Sequence, residues 1–115
     1  MATPQELMQA GVHIGHKKSK WNPKMAPFVF GVRNGFHVMD VTKTAEKLNE
    51  ALAFLSETVK NGGVILWLGA RVQSKEIIAD TARELGMPYV SGRWIGGLFT
   101  NFKIIKERLE YFKDL

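Results

Sequence analysis

With 115 residues, 45% of them apolar, the chain is one domain at most and can bury a core. It has no cysteine, which excludes disulfides and thiolate metal sites. No apolar run approaches the roughly 20 residues that span a bilayer, and no basic segment followed by an apolar stretch opens the chain, so neither a membrane partner nor a secretory signal is expected. The net charge of +5 is uneven: residues 1–40 hold five basic residues against Glu6 and Asp40, while the rest is nearly balanced.

In chain order, Thr3-Pro4-Gln5-Glu6 reads as a helix start, with Thr3 and Glu6 forming a capping box and Gly11 as the stop. Residues 12–27 have neither helical nor strand period and contain two prolines, so an ordered loop is expected there. Phe28 to Asp40 reads as a hairpin about Asn34-Gly35, with a bulge at Gly31. Asp40 or Thr42 then caps a long helix. Its apolar positions Val41, Ala45, Leu48, Leu52, Leu55 and Val59 follow a spacing of four and three. Gly62-Gly63 ends it.

Val64 to Leu68 is an uninterrupted apolar run, the pattern of a strand covered on both faces. A helix from about Val72 to Leu85 follows, with Ile77, Ile78, Ala82 and Leu85 expected inward, and then a short strand at Tyr89-Val90. Helices between apolar strands imply parallel βαβ crossovers. If Leu52 and Leu66 are core, Ala at either costs about 2–5 kcal/mol. Thr100 or Asn101 caps a last helix, whose narrow seam Phe102, Ile105, Leu109 and Phe112 suits one partner helix. The helical pattern is unbroken at Leu115, so the chain is expected to be a fragment of a longer protein. The remainder would supply that partner helix and more strands.

The chemistry concentrates in one stretch. From Leu7 to Met39 there is no Asp or Glu, yet Lys17, Lys18, Lys20, Lys24 and Arg33 fall within it. A segment that cannot neutralise itself calls for a negative partner, and nucleic acid is the first candidate. Trp21, Asn22 and His16 are interleaved with the lysines, as suits stacking on bases and bonding to sugars. Asn34, beside Arg33, belongs to the same basic tip. His13-x-x-His16 lacks further ligands for a metal, and His13 and His37 read as structural. Arg93-Trp94 before Gly96-Gly97 is a further candidate contact, with Trp94 either a core plug or a stacking platform. No catalytic constellation is visible, and no cofactor is implied. Gly69 to Lys75 sits where a phosphate loop would, but Ser74 stands in place of the second glycine and Glu76 in place of the magnesium-binding hydroxyl.

Several motifs in fixed order carry a resemblance. Leu7-Met8-Gln9-Ala10-Gly11-Val12-His13-Ile14-Gly15-His16 resembles the N-terminal signature of the bacterial small-subunit ribosomal protein S-two family. Trp21-Asn22-Pro23-Lys24-Met25 and Phe30-Gly31-Val32-Arg33-Asn34-Gly35 are similar to it as well. So are Gly86-Met87-Pro88-Tyr89-Val90 and Arg93-Trp94-Ile95-Gly96-Gly97 leading to Thr100-Asn101-Phe102. The resemblance implies an α/β fold: a three-layer α/β/α flavodoxin-like parallel sheet, here truncated, with residues 1–100 as a partial domain. It implies that residues 101–115 begin the first arm of a helical hairpin.

The resemblance also implies a structural, non-enzymatic role on the cytoplasmic ribosome. Its partners would be small-subunit rRNA and other small-subunit ribosomal proteins, including the ribosomal protein S-one, with no small-molecule substrate. On this reading Lys103, Lys106 and Arg108 on the arm make a second RNA contact. The rival readings are a nucleotide-binding α/β domain using the Gly69–Lys75 turn, and an interaction module using the last helix.

Overall fold

A computed structural model describes residues 1–115. The chain divides into two compact units, Met1–Gly62 and Gly63–Leu115.

The first unit opens with α1 (Pro4–Gln9). The capping box forms as expected: Glu6 N donates to Thr3 Oγ1 at 3.3 Å and Thr3 N to Glu6 Oε2 at 2.9 Å. The expected loop over 12–27 is corrected. It contains a strand, β1 (Ile14–Lys17), and two 3-10 turns at Lys18–Lys20 and Pro23–Phe28. β2 (Val29–Arg33) and β3 (Phe36–Met39) follow, giving an antiparallel sheet in the order β1-β3-β2. The strand at 14–17 exists because it pairs with β3, a partner some twenty residues away that local periodicity does not report. Gly15 makes the approach possible, since a Cβ there would lie 3.0 Å from the His37 carbonyl oxygen.

The hairpin turn is as read. Asn34 (φ 52°) and Gly35 (φ 77°) both take positive φ, as a type I′ turn requires. The register shifts between Val29 and Gly31, which is the expected bulge. Beyond it Arg33 pairs with Phe36 and Val32 with His37. The bulge therefore sets Phe30 and Arg33 on the side of Phe36 and Val38. Asp40 is the cap of α2 (Val41–Lys60), its Oδ1 accepting from Thr42 N at 3.0 Å. α1 packs against α2, and Lys43 Nζ donates to the Pro27 carbonyl, tying the second 3-10 turn to the helix.

In the second unit, β4 (Trp67–Leu68), α3 (Val72–Leu85) and β5 (Tyr89–Val90) make one parallel β-α-β unit, registered Trp67 to Tyr89 and Leu68 to Val90. The expected strand at Val64–Leu68 is corrected: only its last two residues pair, and Val64 is 71% exposed. An apolar run is a strand only where a neighbour accepts its hydrogen bonds, and β4 has one, β5. α3 has the predicted bounds, with Gly86 in the left-handed conformation at its end. Its buried residues are Ala79 and Ala82, whereas Ile77 and Leu85, expected inward, are exposed. Leu52 and Leu66 are 47% and 41% exposed, so the burial on which a 2–5 kcal/mol cost depends is absent in this chain.

α4 (Phe102–Asp114) begins at Asn101, which makes no side-chain capping bond. Of its predicted seam Ile105 is half-buried, whereas Phe102, Leu109 and Phe112 are exposed. The arrangement as a whole is a mixed α/β one, with an antiparallel sheet of three strands and a parallel pair.

Candidate nucleic-acid interface

Part of the basic run of the first unit gathers at the hairpin turn. Lys17, the last residue of β1, pairs with Phe36, and Lys18 N donates to the Gly35 carbonyl at 2.8 Å. Lys17 and Lys18 thus lie against the turn that follows Arg33 and Asn34, although some fifteen residues separate them in sequence. The 3-10 turn at Lys18–Lys20 follows, and Lys20 borders a cleft with Trp21. Asn22 caps the next turn, its Oδ1 accepting from Lys24 N at 3.0 Å, and so fixes where Lys24 leaves the backbone. His16, Lys17, Lys18, Lys20, Lys24, Arg33 and Asn34 are all exposed. None of the five cations takes part in an ion pair; the three pairs are Lys47–Glu50, Arg83–Asp80 and Lys106–Glu110. Lys47, outside the basic run, has its pKa raised by its hydrogen bond to Glu50 and the charge of that carboxylate.

On the face that Lys20 borders, the sheet carries an aromatic pair. His37, on the central strand, is buried, and Trp21 lies over it with ring centroids 4.4 Å apart and planes tilted by 36°. Neither His37 ring nitrogen has a hydrogen-bond partner, nor does His13 Nδ1. A buried polar atom left so costs about 1–3 kcal/mol. The structural role read for His37 holds for its packing and leaves its two nitrogens unexplained. A cleft of about 460 Å³ opens on this side, lined by His16, Lys20, Trp21, Met25, His37 and Met39 among others. On the other side Ile14, Phe30, Phe36 and Val38 line an apolar cavity of about 530 Å³, with Arg33 at its edge. The cleft had no signal in the sequence beyond Trp21 itself, because β1 and the two 3-10 turns that enclose it were not legible.

In the second unit Arg93, Lys103 and Arg108 are exposed, and Lys106 approaches Glu110 at 3.8 Å. Trp94 packs edge-on against Phe99, centroids 5.0 Å apart, and is half-buried, which favours the plug over the platform. Gly69 is explained by packing: a Cβ there would lie 2.7 Å from Ile78 Cβ. No cluster of three or more His, Asp or Glu residues could hold a metal ion. No helix is long and apolar enough to cross a membrane.

The first unit is thus a basic one, with exposed and unpaired cations about the turn end of an antiparallel sheet. The chain belongs to the Ribosomal protein S2 family, whose model matches residues 7–115. It is 45% identical over all 115 residues to the small ribosomal subunit protein uS2 of Corynebacterium jeikeium (strain K411), of which it covers 42%. It is similar to the same protein of Corynebacterium urealyticum (45% identical, 43% covered) and of Corynebacterium diphtheriae (44% identical, 43% covered), again over its whole length. The chain thus spans less than half the length of these curated relatives.

Proposed function

We propose that the chain is a structural constituent of the small ribosomal subunit, binding small-subunit rRNA through the basic end of its first unit. It supports translation on the cytoplasmic ribosome and performs no catalytic step. The observation that carries this reading is the set Lys17, Lys18, Lys20, Lys24 and Arg33: five exposed cations, none paired, on an acid-free stretch. His16, Trp21, Asn22 and Asn34 brace these cations or meet sugars and bases between them. Arg93, Lys103 and Arg108 add a second contact; Lys106 contributes less because Glu110 already draws on its charge.

Within the same reading, the β4-α3-β5 unit belongs to a truncated flavodoxin-like α/β/α parallel sheet, and residues 1–100 are a partial α/β domain that also holds the N-terminal hairpin. α4 is then the first arm of a helical hairpin, and the open seam Phe102, Leu109, Phe112 is what a facing arm would cover. The neighbours are other small-subunit ribosomal proteins, among them the ribosomal protein S-one.

The test is charge reversal at Lys17, Lys18 and Lys20 together. Binding to small-subunit rRNA at low salt falls by at least about tenfold, and its salt dependence flattens. Unchanged affinity in the triple variant overturns the reading.

A further inference from the structure

The cleft beside Lys20 has features that phosphate binding alone does not need. His37 is 6% exposed, sits at the cleft wall, and holds two ring nitrogens with no partner. The two nitrogens lie on different edges of the ring, so each needs its own partner. Trp21 gives a half-buried π-face beside it. Lys20 and His16 stand at the cleft with no carboxylate among its lining residues, which disfavours a cationic occupant and favours one bearing negative charge. The cleft is open to the surface, with a volume of about 460 Å³.

We propose that this cleft receives an unpaired nucleobase of the bound RNA. The inference rests on the RNA-binding reading and adds a base-contacting pocket to it. The base stacks on Trp21, whose indole shifts from its His37 contact to a base contact. Once the indole has shifted, the base edge supplies a partner to one of the two His37 nitrogens. The strand's phosphates run out toward Lys20 and the neighbouring Lys18. Single-stranded or bulged RNA fits such a site and duplex does not, because bases in a duplex are already stacked and paired.

The experiment compares two strands of equal length and charge on the full chain. One is an unstructured RNA ten-mer and the other a ribose-phosphate ten-mer without bases. Affinity is measured by titration, and the Trp21 indole N–H and His37 ring resonances are followed by NMR. The base-bearing strand binds about tenfold tighter or more, the scale of a base stacked on an aromatic side chain, and moves both resonances. The abasic strand binds by charge and moves neither. In His37→Phe, which keeps the ring contact and removes the nitrogens, the preference for bases drops severalfold.

Equal affinity for the two strands overturns the pocket and leaves the electrostatic reading standing. So does a base preference that perturbs Trp67 or Trp94 instead of Trp21. Failure of both strands to bind overturns the RNA reading and the pocket with it. The comparison on the unaltered chain decides the matter even if His37→Phe does not fold.

Discussion

A methyl group at position 69 has nowhere to go. It would meet Cβ and Cγ1 of Ile78 at 2.7 Å and the Ser74 carbonyl oxygen at 3.0 Å. Ile78 Cβ is fixed to its backbone, so relief requires α3 to move off β4. Gly69→Ala is therefore expected to destabilise the second unit by about 1–3 kcal/mol, the usual cost of overpacking. Gly31→Ala, with nothing within 4 Å of its Cβ position, stays within about 0.5 kcal/mol. Urea denaturation of the two variants beside the parent measures both; equal stability of Gly69→Ala and the parent would show that the strand–helix contact is looser than its geometry. This contrast also disposes of the strongest sequence argument for a nucleotide site. A glycine between strand and helix looks the same in sequence whether it admits a phosphate or a neighbouring side chain, and at Gly69 the neighbour is already present.

At the scale of elements, what was legible had its cause within a few residues. Thr3 and Glu6 cap α1, Asn34-Gly35 turns the hairpin, and Asp40 starts α2, each by a local bond or a local dihedral. Asp40 is the joint between hairpin and helix: its Oδ1 caps α2 while its backbone N donates to the Phe28 carbonyl at 2.9 Å. Asp40→Ala removes the first bond and keeps the second, so a loss of about 1 kcal/mol is expected in denaturation, with the hairpin cross-strand contacts retained by NMR. No loss at all would mean that solvent caps the helix as well as the carboxylate does. What was not legible had distant causes. β1 is a strand only against β3, and Val64–Leu66 is not a strand because no neighbour pairs it. Ile77 and Leu85 looked inward because spacing defines a helical face but not what stands opposite. The same limit divided the candidate site: the cations were readable one by one, while the placement of Lys17 and Lys18 at the hairpin turn depended on the β1–β3 register.

Over the whole molecule the charge of +5 becomes a countable quantity, because the candidate contacts fall into two sets. Lys17, Lys18, Lys20, Lys24 and Arg33 belong to the first unit; Arg93, Lys103 and Arg108 belong to the second, with Lys106 partly engaged by Glu110. Each phosphate neutralised releases counterion, giving a slope in log K against log salt of about −0.7 per contact on single strands and −0.9 on duplex. If the first set alone touches RNA, the slope is roughly −3.5 to −4.5. Engagement of the three unpaired cations of the second set steepens it to roughly −5.5 to −7. We expect the steeper value for a structured small-subunit rRNA fragment. It should relax by about 2 to 3 in the variant reversed at Lys17, Lys18 and Lys20. Removing Lys103 and Arg108 together should relax it by about 1.4 to 1.8. A titration series from low to moderate salt on the three proteins separates the cases. A slope unmoved by loss of Lys103 and Arg108 would confine recognition to the first unit, leaving the exposed apolar seam of α4 as a surface for protein rather than RNA. That outcome would assign the two units different partners.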